Sequence, residues 1–226
     1  MLVRDIMTSN VITVSSDTLV TEAGKTMEFH RIERLPVVDR EKLVGIVTKS
    51  DLERAAPSQA TSLTRWELSY VLGKMKIKEI MKTKVVTISA DATVECAIAT
   101  AQSNRVGSLP VMENGHLVGI VTTNDFFYKL LNPLMGIGED GSRIMVHGAG
   151  GAEQISKVTE CLSKNGVGIK AICTVLSSDN KKNDLVVHLD TEDASKVVTE
   201  LKKLSFSVDT RAFKPCSVDV GTFKPC

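Results

Sequence analysis

Residues 3–54 align without a gap with residues 77–128, at a constant offset of 74 positions and with about 20 identities. No other feature restricts the fold as much, because whatever one copy forms the other must form too. Ile6-Met7, Val11, Thr13, Asp17, Val20, Ala23, Arg31, Leu35-Pro36-Val37, Leu43 to Thr48 and Asp51 anchor the first copy. They return as Ile80-Met81, Val85, Thr87, Asp91, Val94, Ala97, Arg105, Leu109-Pro110-Val111, Leu117 to Thr122 and Asp125. A unit of roughly 50 residues buries too little apolar surface to stand alone. The two copies are therefore expected to pack together about a pseudo-twofold axis.

Each copy reads as strand, helix, strand, strand, helix. The β-branched runs VITV and VVTI predict a first strand ending at an Asp suited to cap a helix, whose apolar face in the first copy is Val20, Ala23 and Met27. RLPVVD and KLVGIVT predict a hairpin. A last helix opens at Thr48 or Ser50, and at Thr122 or Asn124 in the second copy.

Beyond Asn132-Pro133 the pattern changes. Residues 142–213 read strand (RIMVHG), helix, strand (GIKAICTVLSS), turn, strand (LVVHLD), helix and strand (FSVDTRAF). Ile155, Val158 and Leu162 form one helical stripe, and Val197, Val198 and Leu201 another. Asn165-Gly166 supplies a helix stop and Thr191 an N-cap. This order predicts a ferredoxin-like βαββαβ unit. Gly136 to Gly141 formally matches G-x-G-x-x-G, but a helix precedes it and a strand follows, the reverse of a dinucleotide fingerprint, so it reads as a linker. The last twenty residues hold SVDTRAFKPC followed by SVDVGTFKPC, a second duplication.

Composition removes several function classes. With 28 Lys plus Arg against 27 Asp plus Glu, the +1 net charge lacks the basic excess that nucleic-acid binding requires. A 42% hydrophobic content excludes dominant disorder. No apolar run approaches the roughly 18 residues of a membrane span, which predicts a soluble, cytoplasmic protein. Five cysteines without a C-x-x-C pair and four scattered histidines predict neither a disulfide framework nor a metal site. No nucleophile stands beside a base, so no catalytic residues are expected.

The repeated Gly45-Ile46-Val47-Thr48-Lys49-Ser50-Asp51 and Gly119-Ile120-Val121-Thr122-Thr123-Asn124-Asp125 carry the candidate chemistry. Each lies where a strand enters a helix N-terminus, a place that favours an anion. Thr offers a hydroxyl to a phosphate or sugar, and Asp accepts two hydrogen bonds from vicinal ribose hydroxyls. Alternatively, Thr caps the helix and Asp complements its dipole.

The doubled unit resembles a pair of cystathionine-β-synthase (CBS) domains over roughly residues 1–132, because both copies carry Gly, two apolar residues, Thr, two residues and Asp. The resemblance implies two clefts for adenosine-containing ligands: AMP, ADP, ATP or another adenosyl compound. By position, one cleft would combine Thr48, Asp51, Ile46 and Arg34 with Lys84 and Val86; the other, Thr122, Asp125, Ile120 and Ser108 with Asn10 and Ile12. Arg34 and Lys84 suit a phosphate chain such as that of ATP or ADP, whereas Ser108 and Asn10 suit a nucleoside or monophosphate.

The third unit resembles an ACT domain, with Gly148, Gly150 and Gly151 as its ligand turn, and the connector APSQATSLTRWELSYVLGKM is similar to that of the acetoin-utilisation AcuB family. The expected fold class is thus α+β: a tandem CBS pair of two βαββα repeats plus a ferredoxin-like ACT-type domain. The expected divisions are repeats at 1–54 and 77–132, a linker helix at 55–76, an interdomain linker at 133–141, the ACT-like domain at 142–213 and the tail at 214–226. The implied function is non-catalytic regulation by adenine nucleotides, with no required cofactor. Its expected partners are a second copy of the chain and a regulated protein, with neither nucleic acid nor membrane. The alternatives are a constitutive scaffold with empty clefts and an amino-acid sensor acting through the ACT-like unit.

Overall fold

The computed structural model describes residues 1–55, 73–177 and 182–212, in two units, Met1–Phe126 and Phe127–Cys226. The core of the expected linker helix, with Trp66 and Tyr70, and the duplicated tail lie outside the described residues.

In the first unit the elements are α1 (Val3–Ile6), α2 (Val20–His30), β1 (Arg34–Asp39), β2 (Lys42–Thr48) and α3 (Lys49–Ala55). The second copy supplies a 3₁₀ turn (Ile77–Glu79), β3 (Ile88–Ser89), α4 (Val94–Asn104), β4 (Ser108–Glu113), β5 (His116–Thr122) and α5 (Thr123–Asp125). Both hairpins form in the same register, Arg34 opposite Thr48 and Ser108 opposite Thr122, each with a bulge after the residue that follows the proline, at Val37/Val38 and Val111/Met112. Leu35, Val37 and Val47 are fully buried, as are Leu109, Val111 and Val121.

The expected first strands are cut short. Val14 N–H donates to the Pro36 carbonyl at 3.2 Å and Val38 N–H to the Val14 carbonyl at 2.8 Å, so VITV is reduced to one parallel bridge. Pro36 has no N–H for the Ile12 carbonyl, and the ladder stops there. Pro110 acts alike in the second copy, where only Ile88–Ser89 pair with β4. Asp17 does not cap α2, which opens at Val20 after Leu19. Instead its carboxylate holds Lys76 and Lys78, both at 2.9 Å, and these cations lower its pKa to about 2.

Those two lysines belong to a segment exchanged between the copies. Residues leading into the second copy dock on the first: Val20 N–H donates to Met75 O, Ile77 N–H to Thr18 O and Lys78 N–H to Ser16 O, each at 2.9 Å. Ile77 is fully buried in a core with Val20, Ala23, Met27, Leu35, Val37 and Val47. The first copy's leading residues return the contact, with Val3 N–H on Ala92 O at 2.9 Å and Arg4 N–H on Ala90 O at 3.0 Å. The motif glycines make room for this exchange. A Cβ on Gly45 would lie 2.6 Å from Met81 Sδ, and one on Gly119 2.4 Å from Met7 Sδ. Hence the repeated Met and the repeated Gly are two sides of one contact.

In the second unit a π-helical stretch (Phe126–Leu131) and α6 (Asn132–Met135) lead to β6 (Ser142–Val146), α7 (Ala152–Lys164), β7 (Ile169–Leu176), β8 (Asn183–Leu189), α8 (Ser195–Lys203) and β9 (Val208–Ala212). The strands form one antiparallel sheet in the order β7-β8-β6-β9. Ile144, Val146, Leu185, Val187 and Leu189 of the sheet meet Val158 and Leu162 of α7 and Val197 and Leu201 of α8 in its core. Thr191 does not cap α8; the Asp193 carboxylate accepts from Ser195 N–H at 2.9 Å. The glycine stretch Gly136 to Gly141 is packed rather than loose. All three motif glycines have positive φ, and His188, 1% exposed, bonds the Asp140 carbonyl at 3.1 Å.

Candidate functional site

The two Thr-x-x-Asp motifs fold identically. The Asp51 carboxylate accepts from Thr48 N–H at 2.9 Å and from the Thr48 hydroxyl at 2.5 Å, while Asp51 N–H returns a bond to Thr48 Oγ1 at 3.3 Å. Asp125 and Thr122 repeat this at 2.8, 2.7 and 3.4 Å. This reciprocal cap is the structural reading weighed above, and both carboxylates are buried, at 6% and 9% exposure. The helix N-terminus is further closed by Lys49 N–H on the Glu33 carbonyl at 2.8 Å, and by Thr123 N–H on Gly107 O at 3.2 Å. Two of the first three N–H groups of each helix are thus already engaged within the protein.

Asp51 also has cations beside it. Arg54 pairs with its Oδ1, and Lys82 Nζ stands 3.7 Å from the same atom. Burial works to raise the Asp51 pKa, but the Thr48 hydrogen bonds and these cations outweigh it and hold the carboxyl below its ordinary range. At the positions equivalent to Lys82 and Arg54 the chain has Thr8 and Tyr128.

A cleft of about 430 Å³ opens beside the first motif, lined by residues of both copies. Five of the six residues assigned to the first cleft are involved: Arg34, Ile46, Thr48, Lys84 and Val86 line it, and Asp51 stands behind Thr48. The crossing is made by backbone. Ile46 and Lys82 exchange bonds at 3.0 and 2.9 Å, which carries Lys84, two residues on, to the edge of β2. In mirror image, Thr8 and Ile120 exchange bonds at 2.9 and 3.0 Å, two residues ahead of Asn10, while Ile12 packs against the core of the first copy.

Ser108 was expected in that second group, yet it lines the first cleft. Its strand starts beside the start of β1: Arg34 Nη2 lies only 2.7 Å from where a Cβ on Gly107 would be. The bare Gly107 backbone lets the Arg34 guanidinium cross, so residues at the two strand starts border both halves. Sequence reasoning also missed Lys49, Lys82 and Arg105 as lining cations. The available signal was the return of Arg31 as Arg105 in the repeat. In all, five cations and two carboxylates, Glu33 and Glu53, line the cleft, a strong local bias in a chain of net charge +1.

In the second unit the glycine turn is internally bonded. Gly148 N–H donates to Asp184 Oδ1 and Gly150 N–H to the Asn183 carbonyl, both at 2.8 Å. A Cβ on Gly150 would meet Asn183 Cβ at 2.4 Å, so glycine is needed there for close approach. Gly151 is the N-cap of α7. His147 bridges Asp184 at 3.1 Å and Asp209 at 3.0 Å, and these hydrogen bonds raise its pKa.

Two hairpin-and-helix copies, exchanging their leading segments around a cleft, define a duplicated α+β module. The CBS domain family matches residues 3–58 and 77–132, and the chain belongs to that family. It is 34% identical to a CBS domain-containing protein of Dictyostelium discoideum over 59% of this chain and 93% of that protein. The structure of a protein assigned to acetoin utilisation, AcuB, from Vibrio cholerae is similar at 31% identity and a TM-score of 0.50, covering 58% of this chain and 91% of that one. Inosine-5'-monophosphate dehydrogenase of Korarchaeum cryptofilum is 34% identical over 58% of this chain, but the match spans only 25% of the enzyme. That match lies in the CBS part of the enzyme. Among the described residues, no helix is long and apolar enough to cross a membrane.

Proposed function

We propose that this chain is a non-catalytic regulatory protein that binds adenine nucleotides between its CBS repeats and passes the signal to its second unit or to a partner protein. The observation carrying the proposal is the cleft built from both copies, with Arg34 and Thr48 from one and Lys84 and Val86 from the other. A ligand seated there touches both halves and so favours one arrangement of them over another. Pro110 has no N–H for the Val86 carbonyl, which leaves an acceptor at the cleft edge suited to the amino group of a purine. Arg34 and Lys84 favour ADP or ATP, while Asn10 in the mirror position favours a nucleoside or monophosphate. CBS domain pairs are regulatory modules that bind adenosyl ligands and commonly dimerise, which supports the reading.

The second unit, with strand-helix-strand-strand-helix-strand order and a glycine turn before its first long helix, is read as an ACT-like, ferredoxin-type domain that receives the signal. Likeness to AcuB supports a place in acetoin or acetyl-group metabolism.

Calorimetry and thermal unfolding with AMP, ADP, ATP and S-adenosylmethionine test this, since a ligand that binds only the folded state raises the unfolding temperature. At least one of them is expected to bind, and the Asp51→Ala, Asp125→Ala double variant, checked for folding by circular dichroism, to lose that binding. No heat and no shift with any of the four would overturn the proposal.

A further inference from the structure

One end of the sheet in the second unit carries a histidine set between two carboxylates. His147 follows the last residue of β6, and its main-chain N–H donates at 2.9 Å to the carbonyl of Ser207, the residue before β9. On one side of its ring Nδ1 stands 3.1 Å from Asp184 of β8, and on the other Nε2 stands 3.0 Å from Asp209 of β9. Asp184 also accepts the Gly148 N–H at 2.8 Å through its other oxygen, so one carboxylate holds both the ring and the glycine turn that follows it. In the sheet β9 is an edge strand paired with β6, so the ring links it to β8, a strand with which it shares no ladder.

Imidazole has two N–H donors only when it is protonated; the neutral ring has one donor and one acceptor. Carboxylates that accept at both nitrogens at once therefore require the charged ring. They favour that charge in turn: the Asp209 hydrogen bond, followed by that of Asp184, holds the His147 pKa above its ordinary value. The neighbouring elements add no second switch. Opposite Asp184, β7 brings the uncharged Val175. Lys182 runs past the turn, its Cδ 3.6 Å from where a Cβ on Gly148 would lie, and Arg211 follows two residues after Asp209. Lysine and arginine keep their charge between pH 6 and 9. The two acids are unequal partners. The Asp184 side chain is 8% exposed and fixed by Gly148, whereas that of Asp209 is 63% exposed and has water as an alternative.

We infer that His147 is a proton-operated clasp: charged, it joins Asp184 to Asp209 and ties β9 to the glycine turn; neutral, it keeps Asp184 and lets Asp209 go. A histidine favoured in its charged form by the fold contributes stability that is fully present below the ordinary value of about 6.5 and is lost as pH rises through the higher folded value. The second unit is thus tied shut at this end in mildly acid surroundings and released at the start of β9 in mildly alkaline ones. The clasp makes the unit responsive to pH without reference to any nucleotide.

The test follows the full chain from pH 6 to 9, beside His147→Gln and Asp209→Asn. In NMR spectra the His147 ring protons, identified by their loss in His147→Gln, are expected to titrate with a midpoint above that of an ordinary histidine, and Asp209→Asn to lower that midpoint. In thermal unfolding the parent is expected to exceed both variants by about 2 °C at pH 6, and the gap to close by pH 9. The gap is small because the His147 side chain is 37% exposed and solvent screens part of the attraction. Subtracting each variant from the parent removes the titration of the other histidines. A midpoint at or below the ordinary histidine value, or a gap to Asp209→Asn equal at pH 6 and pH 9, would overturn the inference. Asp209→Asn alters an exposed carboxylate and keeps both measurements possible should His147→Gln not fold. None of these residues lines the first cleft, so the outcome is independent of the nucleotide proposal.

Discussion

The two copies of the repeat agree at the contacts that exchange their leading segments and differ at four charged positions of the cleft. Gly45 and Gly119, Met81 and Met7, Pro36 and Pro110, and the two Thr-x-x-Asp caps do the same work at nearly the same distances. Against them, Arg34 stands where the second copy has Ser108, Lys84 where the first has Asn10, Lys82 where it has Thr8 and Lys49 where the second has Thr123. Every one of these four differences places a cation on the first cleft. These contacts recur because each copy is completed by the other, whereas exposed charges near a cavity carry no such obligation. Symmetry thus marks the residues that join the two copies, and its breaches mark the charge of the first cleft.

The most forceful way to break this comparison is to fill the glycine contacts. Gly45→Val and Gly119→Val should each cost about 3 kcal/mol in urea unfolding, because the added carbons meet Met81 or Met7 and a backbone carbonyl. Met81→Ala in the Gly45→Val background should recover part of the loss. Unequal costs at the two glycines would show that the copies do not fold by the same contacts. Exchanging the cleft charges comes next. Arg34→Ser with Lys84→Asn should weaken ATP binding about a hundredfold in calorimetry, two charge-assisted contacts being lost, while leaving stability nearly unchanged.

A smaller effect tests the caps. Thr48→Ala and Thr122→Ala should each lose about 1 kcal/mol of stability, and the match between them matters more than the size. The smallest expected change is at Asp17. Its folded pKa of about 2 lies below the ordinary carboxylate value, so its contribution is present above about pH 4 and fades as pH falls toward 2. Stability curves of the parent and Asp17→Asn should differ at neutral pH and converge in acid.

Much of this was legible in the residues. The gapless repeat, the hairpins and the helical stripes depend on local patterns of two and 3.6 residues, which a single chain displays directly. What escaped depends on partners distant in sequence. The first strands looked sound because VITV and VVTI have the composition of strands, yet the prolines that interrupt their pairing lie in the neighbouring strand, at positions 36 and 110. Asp17 looked like a cap until the exchanged lysines claimed it. Ser108 was assigned by analogy to one cleft, and only the crossing of Arg34 over Gly107 places it at the other. Arg105 was visible as a repeated residue, but its place on the cleft was not.

The exchange of leading segments bears on how such a chain arose. A single copy lacks the Ile77-type residue that fills its core and must borrow it from a neighbour. An ancestral gene encoding one copy would therefore have made an obligate pair, each chain completing the other. Joining the two copies in one reading frame turned that pairing into an internal affair and freed the halves from identity. In a fused pair each half can then vary by itself, which is how an arginine can stand at the start of one hairpin, Arg34, and a serine at the start of the other, Ser108.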